Sequence, residues 1–381
     1  MIRVRVGLWG LLLGLLLPLL FGPLQVQAQE QEAAAIFRYA EVIEVKELTS
    51  NPAGAPKGWH VRYSFELDDE TPQKGGFDLF ATTKEPLTMP TELSEGDTII
   101  LSCNSGGCDY FDRGRSGGLW FMGLIFIAVI WWVCRDHGLF ALFALGFSAA
   151  FIFAVMTPLL MQGFSPLWLS LLTALLLAVV LITMSHGFSS RSLVAIKSTA
   201  ISLILALLFA QLACWVLGLN GGGGSIAMYS GHGLLKGLDL HGLFLGAILL
   251  GSLGVLGDIT WTQSAMVEEL ATAHPRMRSV ELVKAVMPVG RDHAAGMLHS
   301  LVMAYIGAGL PMFILVFYDS QTPLWVTLNS ELVLEELVRM IAGGFALTLA
   351  VPISSWVAAL RYGERPRLSR TSPLVRSGKR G

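Results

Sequence analysis

The run Gly251-Ser-Leu-Gly-Val-Leu-Gly-Asp-Ile-Thr-Trp-Thr-Gln-Ser-Ala-Met-Val-Glu-Glu-Leu270 decides how this chain is read. From Leu240 to Ala265 the only ionisable side chains are His241, at the edge, and Asp258, in the middle. The run therefore reads as a membrane helix that carries one carboxyl. A charge in hydrocarbon costs about 2.5–3.5 kcal/mol even on insertion scales, so such residues face a bundle interior or a watery cavity. Asp258 is the first candidate for function on that ground. The plain alternative is a carboxyl that staples helices or fixes the start of an interfacial segment.

Composition places the whole chain in the same class. Its 381 residues are 53% hydrophobic and 14% charged, with a mean hydropathy of +0.61, whereas a soluble chain carries about 25% charge. The net charge of −2 hides strong segregation: residues 361–381 hold seven basic side chains against one acid, Glu364. That run reads as a solvated tail beside a membrane, and nothing in it points to nucleic acid.

The N-terminus has the layout of a secretory signal peptide over residues 1–28. Arg3 and Arg5 precede an apolar core from Val6 to Leu20, and Val26-Gln27-Ala28 supplies a small-x-small cleavage site. The core is short for a spanning helix, so the mature chain is expected to begin outside the cytoplasm at Gln29. An uncleaved anchor is the alternative.

Residues 29–118 change character to a small β domain. Alternating runs at Ile36–Val45, His60–Leu67 and Phe77–Phe80 are separated by turn-rich stretches, and Thr98-Ile-Ile-Leu101 follows the turn Ser94-Glu-Gly-Asp97. Alternation of this kind implies half-buried strands, here in a barrel-like domain. It ends in Cys103-Asn-Ser-Gly-Gly-Cys108. On the exported side, two cysteines across Gly-Gly fit a local disulfide. A metal pair fits less well, because a closed zinc site needs four ligands and only His60 is at hand. Cys134 and Cys214 lie in apolar helices, where thiols pack.

Seven spans follow, at residues 119–133, 139–161, 167–184, 193–217, 240–265, 294–317 and 341–360. Trp120, Trp131 and Trp132 of the first suit interfacial belts. With the mature N-terminus outside, fourteen basic residues fall inside: Arg135, Arg191, Lys197, Arg276, Arg278, Lys284, Arg291 and the seven of the tail. Only Lys236 falls in an outside loop, with Arg339 close to the last span, so the positive-inside rule agrees with signal and count.

Local signals support these boundaries. Ser165-Pro166, Ser189 or Ser190, and Asp239 can start the third, fourth and fifth spans. Pro158, Pro311 and Pro352 each remove a backbone donor and are expected to kink or break their helices. Asn220-Gly-Gly-Gly-Gly-Ser225 reads as a flexible outer loop. Gly251, Gly254 and Gly257 form a small-residue stripe, so the Asp258 face is expected to be a packed one.

Leu253–Leu270, with Val289-Gly-Arg-Asp-His293, Leu301–Pro311, Thr157-Pro-Leu-Leu-Met-Gln-Gly163 and Ser185-His-Gly187, resembles the YibE/F-like membrane proteins. The likeness runs from the exported domain through all seven spans. It implies a bacterial multi-pass protein of transporter type and names no substrate. Two departures matter. Family members usually carry two consecutive acids where this chain has Gly257-Asp258, and an Asn-Thr pair where it has His299-Ser300. The resemblance thus does not carry over a cation site built on paired carboxylates, and no metal or other cofactor is expected.

Enzyme motifs fail when tested. Gly254-Val-Leu-Gly-Asp258 is similar to the Gly-x-Gly-Asp of intramembrane aspartyl proteases, with Tyr318-Asp319 as partner. Val255 replaces the first glycine, however, the order is reversed, and Asp319 falls outside. A rhomboid-like pairing of Ser225 or Ser230 with His232 or His241 arises easily by chance. There is no His-Glu-x-x-His and no phosphate-binding loop.

The reading is an α-helical polytopic membrane protein of about seven spans with an N-terminal extracytoplasmic β domain and a cytoplasmic basic tail, and not an enzyme. Its expected role is transport of a small solute or ion. The alternative is a membrane-anchored interaction or assembly protein. Expected partners are membrane lipid, the solute, and a second copy or an exported protein, with no nucleic acid. The candidate site puts Asp258 against His299 near the midplane, with Gln263 and Tyr305 beside them. Arg291, Asp292 and His293 complete the set. A carboxylate beside an imidazole stabilises both or shares a proton with it.

Overall fold

The computed structural model describes residues 36–47, 58–66, 72–80, 93–104, 107–223, 237–318 and 322–363. The signal-like segment, Ser225, Ser230, His232, Lys236, Asp319 and the tail beyond Gly363 lie outside them. The chain divides into two compact units. One runs through the sheet and the first span to Arg135, and the other begins at Asp136.

In the first unit, β1 (Ile36–Glu47), β2 (Gly58–Glu66), β3 (Pro72–Phe80), β4 (Thr98–Asn104) and β5 (Gly107–Arg113) form one antiparallel sheet in the order β3-β2-β1-β4-β5. The edge strands β3 and β5 touch, which gives the sheet its curl. Ala40, Val42, Val61, Tyr63, Ile99 and Leu101 are buried on one face, while Phe37, Tyr39, Glu41 and Ile43 point outward with the period of two that a strand imposes. The turn before β4 is closed by Asp97, whose carboxylate accepts from Ser94 N–H at 2.8 Å, with Gly96 at φ +89. β5 is a fifth strand, beyond the four expected from alternation. Cys103 and Cys108 face each other across the β4–β5 hairpin and are disulfide-bonded. Gly114 N–H then donates to Thr98 at 2.7 Å, and the helix starts two residues later, so the sheet passes straight into the first span.

Seven helical stretches among the described residues are long and apolar enough to cross a membrane: Ser116–Asp136, Gly138–Met161, Pro166–His186, Ser190–Leu217, Leu240–Ala273, Ser279–Ile314 and Glu331–Tyr362. The first two are joined in α1 (Ser116–Phe151), which is interrupted at Arg135 by a φ of 50 and ψ of −138. A positive φ on a non-glycine residue is rare, and here it marks the division between the units. A π-helical segment, Ile152–Met156, and α2 (Thr157–Met161) follow. The remaining helices are α3 (Pro166–His186), α4 (Ser190–Leu217), α5 (Leu240–Ala273), α6 (Ser279–Tyr318), the short α7 (Leu324–Leu328) and α8 (Glu331–Tyr362).

Helix starts follow local chemistry. Ser189 accepts from Ser192 N–H, and Asp239 from Gly242 N–H, each at 3.0 Å. Ser165 makes no side-chain cap, and α3 begins on Pro166 alone. The expectation that prolines break the spans holds only near Pro158, where the helix widens to π just upstream. Pro311 and Pro352 lie in helices that continue through them. Each costs one ladder bond, which neighbouring turns and packed helices tolerate.

α5 is the central helix of the second unit and packs on α3, α4 and α8, with α6 lying mainly on α8. Leu177, Leu203, Leu249, Leu253, Leu256, Ile259 and Leu347 are the largest members of the shared core. Several buried hydroxyls are satisfied inside their own helices, as when Ser354 donates to Ala350 at 2.6 Å, whereas those of Ser170 and Ser202 have no partner. Thr199 and Thr260 bond across α4 and α5 at 2.8 Å.

Three helices overrun their expected lengths. α5 continues to Ala273, α6 starts at Ser279 rather than residue 294, and α8 starts at Glu331 rather than residue 341. Hydropathy reads only the lipid-facing part of a helix. The extensions are held by polar packing, such as Ser279 donating to Ala359 at 3.0 Å.

Candidate functional site

Asp258 occupies the middle of α5, about 27 Å from Leu240 and about 22 Å from Ala273 at 1.5 Å per residue. It lies on an exposed flank with Ala247, Gly251 and Gly254. Nine residues, or about 2.5 turns, separate it from fully buried Leu249, so the two project to opposite sides of the helix. The expectation that the glycine and Asp258 face would be the packed one holds at Gly251, which Tyr305 covers, and fails at Gly254 and Asp258. The core takes the face of Leu249, Leu256 and Ile259 because large apolar side chains have more surface to remove from water than a glycine stripe has.

Two contacts set the antiparallel register of α5 and α6. A Cβ on Gly251 would lie 2.5 Å from the Tyr305 hydroxyl, and one on Gly290 would lie 2.7 Å from Gln263 Oε1. Asp258, between those points, is level with α6 residues about 295 to 298 at equal rise in both helices. His293 lies roughly one turn to one side of that level and His299 within roughly one turn on the other.

The candidate residues fall into separate places. His293, half-buried, is the charged group in electrostatic reach of Asp258. His299 is exposed, about 2.5 turns from buried Gly290 and hence on the outward face of α6. Among the described residues no hydrogen bond or ion pair joins Asp258 to His299. Gln263 is fully buried away from Asp258, where Nε2 donates to Ser355 at 2.8 Å and Oε1 has no partner. The Tyr305 hydroxyl is buried without a partner against Gly251. Asp292 is exposed. Arg291 lines a groove of about 360 Å³ between α6 and α8, with Met287, Ala294, Leu298, Thr348 and Pro352.

One turn beyond Asp258, Trp261 anchors a second polar group. His186 stacks on its ring with centroids 3.9 Å apart, and Arg191 sits over the same ring at 5.4 Å. Arg191 also bridges to Glu268 at 2.6 Å. Ser185-His-Gly187 and the long run of α5, two of the stretches that carry the resemblance, thus meet at one end of the bundle.

Sequence reasoning missed a third group, at the opposite end. Glu331 accepts from Asn220 N–H at 2.8 Å, and buried Glu335 from Gly223 N–H at 2.9 Å. Arg339 pairs with Glu336 at 2.5 Å and lies 5.5 Å from the Phe244 ring. The start of the glycine-rich segment is therefore tied down, contrary to its reading as a flexible loop. Gly221, at φ +78, lets the backbone approach Leu240 more closely than any side chain would permit. The signal was present in the sequence: acids at 331 and 335 and a cation at 339 recur every four residues and share one helix face.

Among the described residues no three His, Cys, Asp or Glu side chains come together as a metal ion would need. A protein-family model described as YibE/F-like protein matches residues 122–364, from inside the first span through the last. No curated protein and no solved structure matches the chain.

Proposed function

This chain belongs to the YibE/F-like family, and from that premise we propose that it is a proton-coupled carrier of a small solute or ion in which Asp258 takes up and releases the proton. One observation supports the reading above others: a lone carboxyl at mid-depth of the central helix, on an exposed flank, with the His293 imidazole in reach. An acid whose only role was to staple helices would be buried in a hydrogen bond, as the hydroxyls around it are. An acid left without such a bond, beside an imidazole, can instead pass a proton to and from it. The proposed orientation follows the basic residues, with the Arg191 and Glu268 end and the C-terminus in the cytoplasm and the sheet outside.

The full chain reconstituted in vesicles containing a pH-sensitive dye tests this. Under an imposed potential, protons should enter faster than into protein-free vesicles, and Asp258→Asn should bring the rate down to the protein-free value. Equal rates for the wild type and Asp258→Asn would sink the reading.

A second reading, an exported docking domain on a membrane anchor, is favoured by one feature of the sheet. Phe37 and Phe111 are 55% and 61% exposed, their rings packed edge to face at 5.0 Å. A photo-crosslinking residue at Phe111 that captures one defined exported protein in cells would support this reading, and one that reaches only lipid would count against it.

A further inference from the structure

We infer that the Asp258 flank is the contact face of a homodimer, in which Asp258 of one copy meets His299 of the partner subunit. Three observations lead there. First, both side chains are exposed in membrane-spanning helices, and neither has a hydrogen-bond or ion-pair partner among the described residues. Hydrocarbon is a poor solvent for either, so each calls for a polar cover. Second, the two groups are chemically complementary, an acid and an imidazole, and they lie within about one helical turn of the same level. A two-fold axis along the membrane normal preserves depth, so it can bring Asp258 of each copy to His299 of the other, forming the contact twice. Third, small residues with open space in front of them lie near both: Gly254 on α5, and Gly296 and Gly307 on α6, all exposed. Such residues let helices of two copies approach closely enough for short side chains to meet.

The first span offers no comparable cover. Residues 119–133 carry no ionisable side chain and only the indole N–H groups of three tryptophans as side-chain donors. Inside one chain, Asp258 has His293 in reach and leaves His299 facing outward. In the dimer the acid would lie between two imidazoles, one from each copy. The inference extends the reading of Asp258 as the working acid by naming what completes its surroundings.

The test is a directed crosslink in native membranes. Two differently tagged full-length copies are co-expressed in a Cys134→Ser, Cys214→Ala background, one carrying Asp258→Cys and the other His299→Cys. Mild oxidation should give a band bearing both tags. A pair with Val179→Cys, exposed on α3, in place of His299→Cys should give at least tenfold less. The inference is overturned if no mixed band forms while both cysteines react with maleimide, or if the Val179→Cys pair crosslinks equally well. Crosslinking is blind to transport, so it can fail while the dye assay succeeds, and the reverse.

Discussion

The guanidinium of Arg191, in the first turn of α4, lies 2.6 Å from the Glu268 carboxylate of α5 and at the same time covers the Trp261 ring. With His186, at the end of α3, stacked on the same Trp261 ring, the α3–α4 corner is tied to the central helix. Both charged side chains are 26% exposed. A double-mutant cycle with Arg191→Gln and Glu268→Gln is expected to give a coupling of about 1 kcal/mol in thermal unfolding of the detergent-solubilised protein. Arg191→Lys should recover the ion pair in part but lose the planar stack. A coupling near zero would mean that the pair is solvated and idle.

Glu335 is expected to matter through its hydrogen bond. It is 4% exposed and accepts from Gly223 N–H. Glu335→Ala should cost about 1–3 kcal/mol and leave the segment around Gly223 open to hydrogen exchange. Glu335→Gln keeps an acceptor oxygen and should cost less. Equal losses in the two variants would show that the contact with Gly223 is not what holds the segment.

Gly290 allows α6 to close on Gln263. A Cβ there would lie 2.7 Å from both Gln263 Oε1 and Val351 Cγ1. Gly290→Ala is expected to destabilise the bundle by about 1–3 kcal/mol through overpacking. Gly146→Ala in α1, where a Cβ meets nothing within 4 Å, is the control and should leave the melting temperature unchanged.

The Cys103–Cys108 bond closes a short loop with a sequence separation of 5. On the chain-entropy account such a loop is worth about 2 kcal/mol. Replacing both cysteines by serine should increase hydrogen exchange in β4 and β5 without changing exchange in α5. Unchanged protection in the hairpin would show that the strand pairing alone holds it.

Orientation has a direct check. A reporter fused after the basic tail should be active only in the form that works in the cytoplasm, because the clustered cations resist translocation. Activity only of an exported reporter would reverse the bundle and the proposed direction of Asp258 access.

The sequence alone determined much of this protein. Seven apolar stretches, a preceding β region and the Cys103–Cys108 disulfide were legible because each depends on local chemistry: hydropathy over about 20 residues, alternation along a strand, two cysteines across a turn. The caps at Ser189 and Asp239 were legible for the same reason. Which face of α5 is buried was decided only by tertiary structure. A glycine stripe leading to Asp258 looks like a packing face by itself, yet the larger side chains of Leu249, Leu256 and Ile259 took the core and left Gly254 and Asp258 outward. The position of Asp258 relative to its neighbours was equally non-local. Counting residues put His299 near the level of Asp258 along the helices, but level does not fix azimuth, and it is His293 that lies in electrostatic reach of the acid. The anchoring of Asn220 and Gly223 joins residues more than a hundred positions apart. Side chains at such separation meet only when the helices between them have packed, and no pattern within a single segment records that.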